Sequence, residues 1–320
     1  MDNNSLIILK GGQTSSIQDF GRFGFQDQGI PPSGVINQHS MEIANALVGN
    51  KSNIEVLEIF FSGPVIKINT KSVLIAMIGG KNSSVEILNK NQHVKSGRSV
   101  LLKKNDVIKI HLDKESIIST LSVSGGFKVS PFLNSKSTSP NIGLGGLNGD
   151  YFKDNTILPL NVDENEKKIE RILIANQPSS SKKSFRVILG PHDKRFSNEM
   201  VDKFLSSKWK VSSDINRMGI RLDGEKILCK NNNNMLSDGN QNGSIQITQG
   251  GKPIILLPDR GTTGGYPKIA TIISPDFQQL SNISVGEEIS FKKINLEQAN
   301  AVIKNHNKKL LNLISKITII

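Results

Sequence analysis

Apolar residues in this 320-residue chain come in short runs, rich in Ile and Val and closed by Gly, Pro, Asn or Ser. Such runs are too short for helices that bury a stripe of several turns, and their composition favours extended backbone. In the first half the expected strands are Ser5–Leu9, Val56–Ile59, Val65–Ile68, Ser72–Ile78, Ser84–Leu88, Val107–Leu112 and Ile117–Val123. The second half repeats the habit with Ile172–Ala175, Phe185–Leu189, Gly219–Leu222, Gly243–Thr248, Pro253–Leu257, Ile269–Ile273 and Glu288–Phe291. Many short strands with turns between them predict a mainly β protein built as sandwiches or barrels.

Helices are few. Asn37 is placed to cap a segment whose Met41, Ala44 and Val48 share a face, and Gly49 to end it. Ser197 caps a short helix through Phe204, and Ser274-Pro275 opens another. Asn295 with Gln298 forms a capping-box pattern before a C-terminal helix through about Ile314.

A charged stretch, Val162–Lys168, and a polar one, Ser179–Ser184, mark a seam. The expected units are 1–175, an N-terminal β unit, and 184–320, a C-terminal one. A sequence echo crosses the seam. Asp19, Arg22 and Gly24 recur as Asp214, Arg217 and Gly219, both D-x-x-R-x-G followed by an apolar residue. An echo at that long offset fits duplication of a unit rather than a solenoid.

Charge and motif content narrow the function classes. The formal net charge is +12, but the excess is scattered Lys accompanied by Asn and Ile. Without an Arg-rich face or a recognition motif, nucleic acid is not the expected partner. The single Cys229 forms no internal disulfide and, with no Cys/His cluster, no zinc site. No apolar run reaches the roughly 20 residues of a membrane helix, and no leader pattern opens the chain, so a cytoplasmic protein is expected. There is neither a P-loop nor a biotin-attachment motif.

The segment Pro258–Pro267 (PDRGTTGGYP) concentrates groups that can hold an anion. Arg260 and Lys268 supply charge, Thr262 and Thr263 hydroxyls, and Tyr266 a phenol. Gly264 and Gly265 allow tight or positive-φ backbone, and Asp259 precedes the arginine. The same residues also suit a plain hairpin turn. Asp19 with Arg22, and Asp214 with Arg217, read either as internal ion pairs fastening a turn or as arginines gripping a substrate carboxylate. Asp238 is placed to polarise a water or bind magnesium, or to make an Asp-Gly turn. Gln246 suits an amide-like substrate group or a buried backbone partner. Asp193 and Arg195 read as a helix entry, and the isolated His192 and Cys229 receive no catalytic role.

Four segments together carry a family resemblance. They are Gln18–Gly24 continuing through Gly29–Gly34 and Ile43–Asn50; Gly190–Phe196; Ser213–Gly219 with Arg221 and Leu222; and Ser237–Gly239, Gln246, Asp259, Arg260 and Thr262–Pro267. In this order they resemble the allophanate hydrolase subunit 2 family, also called biotin-dependent carboxyltransferase-like proteins. It includes the C component of prokaryotic 5-oxoprolinase, the regulator KipA and part of urea carboxylase.

The resemblance implies two related cyclophilin-like β-barrel units. It also implies one component of an ATP-dependent 5-oxoprolinase that converts 5-oxo-L-proline to L-glutamate, with ATP and Mg2+ in the assembled complex. The implied partners are a homologue of the B component (allophanate hydrolase subunit 1, KipI-like) and an A component of LamB/YcsF type. Two alternatives stand beside it. One is the carboxyltransferase component of a biotin-dependent carboxylase, the only case that needs biotin; the other is a KipA-like non-catalytic binding protein. The expected catalytic set is Asp238, Arg260, Thr262, Thr263 and Tyr266. Substrate or anion binding falls to Arg217, Gln246, Asp259, Gly264, Gly265, Lys268, Asp19 and Arg22, with no metal ligand. Three positions depart from the family pattern: Gly261 and His192 each stand where Gln is usual, and Asn37 where Asp is usual.

Overall fold

The computed structural model describes residues 4–163, 167–174, 183–230 and 235–320. It is mainly β and divides into two units, neither continuous in sequence. The first comprises Met1–Arg22, Ser33–Ser180 and Lys309–Ile320; the second comprises Phe23–Pro32 and Ser181–Lys308. The seam expected between 175 and 184 falls largely outside the described residues. Two exchanges depart from a simple division there: Phe23–Pro32 groups with the second unit, and the last dozen residues with the first. The second exchange has a visible cause, because Ile317–Ile319 pairs antiparallel with Arg171–Leu173.

The first unit holds two antiparallel sheets. One runs in the order Thr156–Pro159, Ser5–Lys10, Val65–Asn69, Val107–His111, Ser84–Ile87, Gln92–Lys95. The other runs Thr14–Gln18, Val56–Phe60, Ile118–Val123, Ser72–Ile78, Ser99–Lys103. Ser72–Ile78 shows why it is apolar almost throughout. Val73, Ile75 and Met77 enter the core shared with Leu6, Ile8, Ile66 and Ile108, whereas Leu74, Ala76 and Ile78 pack with Ile43, Ala44 and Leu47 of the helix Gln38–Val48. Alternate side chains of one strand thus serve two cores. The helix begins as expected, with Asn37 accepting from the Ser40 N–H at 3.0 Å, and ends at Gly49 with φ 82.

The second unit is a closed seven-stranded barrel. Its order is Ser184–Leu189, Lys268–Ile272, Ser244–Ile247, Pro253–Leu256, Gly219–Asp223, Trp209–Asn216, Glu288–Lys293, closed by parallel pairing of the last strand with the first. Closure leaves no open sheet edge in the ring. Phe204 stacks on Phe291 at 4.8 Å, and Trp209, fully buried beside it, donates its indole N–H to the Phe204 carbonyl. The barrel form expected of both units is therefore a closed ring in the second and a pair of sheets in the first.

The sequence reading passes over Thr14–Gln18, Gln92–Lys95, Ser99–Lys103, Thr156–Pro159, Trp209–Asn216 and Ile317–Ile319. Thr14–Gln18 (TSSIQ) shows the reason: Ser15, Ser16 and Gln18 are buried although polar. Gln18 donates to Ser16 Oγ and to the distant Thr138 carbonyl, so hydrogen bonds, one of them tertiary, replace the apolar signal.

Candidate active site

In the second unit a cavity of about 290 Å³ is lined by Asn240, Gln246, Arg260, Thr263, Gly264 and Tyr266, among others. Its frame is set by a turn that folds onto a neighbouring hairpin. After the strand Pro253–Leu256, the Leu257 N–H bonds to the Met218 carbonyl and the Asp259 N–H to the Arg217 carbonyl. The Arg217 guanidinium then grips the Asp259 carboxylate through Nε at 2.8 Å and Nη2 at 3.2 Å, both side chains being buried. Two parallel N–H···O bonds from a planar fork fix the turn. Asp214 does not pair with Arg217, as an internal fastener would; it pairs with Arg221 on the exposed rim of the cavity.

Arg260 is buried, with only 3% of its surface exposed. Its guanidinium donates to three neutral acceptors: Asn242 Oδ1, the Asn240 carbonyl at 3.0 Å and Gln26 Oε1 at 3.1 Å. Among the described residues its Nε–H has no partner. Burial pulls the pKa of this guanidinium down to about 10, against the favourable influence of Asp259, and it stays protonated at neutral pH. A buried cation whose hydrogen-bond acceptors are all neutral can serve as counter-charge for an anion.

Gln246 arrives through a β-bulge. Ile245 faces Ala270 across the ladder, but Gln246 faces Lys268, so one residue of the partner strand is skipped. Bulges re-aim side chains in this way. The Gln246 amide nitrogen donates to Asn240 Oδ1 at 3.1 Å and to the Tyr266 carbonyl at 3.4 Å. Asn240, buried, donates to the Gly261 carbonyl at 3.0 Å. These two amides lie over Gly264: a Cβ there would meet Gln246 Nε2 at 2.8 Å and Asn240 Nδ2 at 2.9 Å. Neither Gly264 nor Gly265 has a positive φ, so close approach, not left-handed backbone, accounts for Gly264.

Lys268 is buried, and its Nζ donates to the Gly239 carbonyl at 2.7 Å and lies 3.1 Å from Asp238 Oδ2. Asp238 is half-exposed, and its bond to Lys268 holds its carboxyl below the usual range. It belongs to a two-residue ladder in which Asp238 faces Gly264 and Gly239 faces Thr263. Thr262 contributes its carbonyl, which accepts from the Asn240 N–H at 2.8 Å, while Thr263 and Tyr266 are exposed on the cavity wall. Around the cavity Arg217, Arg260 and Lys268 face Asp259 and Asp238, which leaves one positive charge in excess.

Asp19 and Arg22 are spent within the first unit. Asp19 accepts from the Gly21 and Lys136 N–H groups and the Ser135 and Ser137 hydroxyls, and buried Arg22 donates to the Ser137 carbonyl. The two copies of D-x-x-R-x-G are alike in burying the arginine and unlike in what it holds. Sequence reasoning misses Asn240, Asn242 and Gln26. Asn240 and Asn242 sit in a polar turn composition that hides them, and Gln26 lies far away in sequence. Among the described residues no group of three or more His, Cys, Asp or Glu is arranged to hold a metal ion.

Comparison with known proteins adds three findings. Residues 28–293 match the family model for the carboxyltransferase domain, subdomain A and B. The C component of 5-oxoprolinase from Escherichia coli (strain K12) is 32% identical over 92% of this chain and 93% of its own length; that of Haemophilus influenzae is 28% identical over 97% of each. The crystal structure of the Kluyveromyces lactis urea amidolyase superposes with a TM-score of 0.86 at 26% identity, covering 97% of this chain, which spans 20% of that longer protein.

Proposed function

The chain belongs to the carboxyltransferase-domain family, subdomain A and B, and from that premise we propose that it works as one component of an ATP-dependent 5-oxoprolinase. The observation that carries the reading is Arg260, a buried guanidinium bonded only to neutral acceptors, in a cavity lined by amides; among the described residues its Nε–H is unpartnered. 5-Oxoproline is a compact carboxylate that also bears a lactam. Arg260 pairs with its carboxylate. The Gln246 amide oxygen accepts from the lactam N–H, and the hydroxyls of Thr263 and Tyr266 donate to the lactam oxygen as negative charge develops there.

Asp238 has no role as a magnesium ligand or general base in this proposal. Its carboxylate is tied to Lys268, and the cavity wall is formed without it. ATP, its metal and the activation of water are therefore assigned to the assembled complex, with a homologue of the B component and a LamB/YcsF-type A component. A cytoplasmic location belongs to the same proposal; among the described residues no helix is long and apolar enough to cross a membrane.

A second reading, carboxyl transfer from biotin on a separate carrier, is favoured by the likeness to urea amidolyase. The lactam acid is preferred because the matched 5-oxoprolinase components are covered over nearly their whole length, whereas a second urea amidolyase is covered over 17% of its own. The test is reconstitution with both partner components, ATP and 5-oxoproline, followed by glutamate release. Arg260→Lys keeps the charge but loses the fork, and is expected to raise the KM for 5-oxoproline roughly tenfold or more. A complete complex that releases no glutamate above background rejects the reading. Carboxylation of an amide in the presence of a biotinylated carrier would replace it.

A further inference from the structure

His192 accepts a hydrogen bond at one ring nitrogen and has a carboxylate near the other. The backbone N–H of Lys268 donates to Nδ1 at 3.1 Å. Nδ1 is therefore the unprotonated nitrogen of the neutral ring, and Nε2 carries the hydrogen. Nε2 faces Asp238 Oδ2 at 3.5 Å. The same carboxylate oxygen is 3.1 Å from Lys268 Nζ, and that ammonium also donates to the Gly239 carbonyl. The His192 N–H bonds back to the Lys268 carbonyl at 3.4 Å, which closes a small ring of contacts. Through Asp238 and Gly239 the ring reaches Thr263 and Gly264, which pair with them and line the cavity.

We propose that His192 is a positioning residue whose unprotonated Nδ1 locks this lip, Asp238–Gly239 with Thr263–Gly264, so that one proton added to Nδ1 releases it. A protonated Nδ1 is a donor facing a donor, and the Lys268 N–H loses its acceptor. Burial is the largest influence against that proton. Lys268 and Arg195 also repel it and Asp238 attracts it, so His192 stays neutral further into acid than an ordinary histidine. The lip is locked at neutral pH and released only as pH falls through that lowered value.

Gln in place of His192 keeps the bond to Lys268 without titrating, because its amide oxygen accepts from the Lys268 N–H. Hydrogen exchange of the peptides covering 238–240 and 262–266, corrected for intrinsic rate, reads the lip in the full chain without any substrate. Between about pH 7.5 and about pH 4, the natural chain should lose roughly three- to tenfold in protection there, the worth of one hydrogen bond. His192→Gln should keep its protection at both pH values, and His192→Leu should lack it at both. Equal protection of the natural chain across the range, or a loss in His192→Gln parallel to it, overturns the proposal. Because the readout needs no turnover, its failure is separate from failure of the oxoprolinase reading.

Discussion

Arg217 and Arg260 are both buried, yet they serve opposite ends. Arg217 pairs its charge with Asp259, whereas Arg260 hydrogen-bonds only to the neutral groups of Asn242, Asn240 and Gln26. Removing one member of a buried pair strands the other, so Arg217→Ala should destabilise the second unit by about 3–5 kcal/mol. Denaturant unfolding followed by Trp209 fluorescence checks this. Gly264→Ala drives a Cβ into the Gln246 and Asn240 amides; a loss of about 1–3 kcal/mol is expected, with activity in the reconstituted complex falling further. At this scale the charged half of the site is readable in the sequence, because Arg260 and Lys268 announce themselves by type. The amide half is not. Asn240 and Asn242 sit in a polar turn where Asn is ordinary, and their use depends on which carbonyls and guanidinium atoms the fold brings to them.

Helix ends are the most readable elements, since their chemistry is local. Asn37, Ser197 and the Asn295–Gln298 box all cap as their spacing predicts. Asn37→Ala should cost about 0.5–2 kcal/mol in thermal or denaturant unfolding. Strands are readable where they are apolar and invisible where tertiary contacts satisfy polar side chains, as in Thr14–Gln18. The bulge before Gln246 belongs to the same class: a register slip of one residue leaves no mark in composition, yet it decides which side chain faces Lys268.

For the whole molecule, stability should fall with acid in two stages. His192 binds its proton less readily when folded than the ordinary value of 6.5 implies. The unfolded chain then holds more protons, and stability present above that value declines as pH falls below it toward the folded pKa. Against the cost of burial, Asp106 is pulled below 3.8 by the Lys103 N–H, Lys90 and Asn89; its contribution is present above that value and lost as pH falls through its lower folded pKa. A melting-temperature series across pH should show both stages, with His192→Gln lacking the first. The net charge of +12, which invites a nucleic-acid reading, corresponds to scattered lysines, whereas the excess charge at the cavity is a single unit.

The pairing of Ile317–Ile319 with Arg171–Leu173 also bears on how the molecule is made. On the ribosome the first sheets emerge early, but Leu310, Leu313 and Ile317, which cover Leu47 and Leu74, are synthesised only after the entire barrel. Until then that greasy face is bare. A stop codon a few residues upstream of Lys309 would leave the barrel intact and condemn the older half of the nascent chain, so the expected phenotype of such a truncation is aggregation and turnover by proteases, not an inactive but well-folded protein.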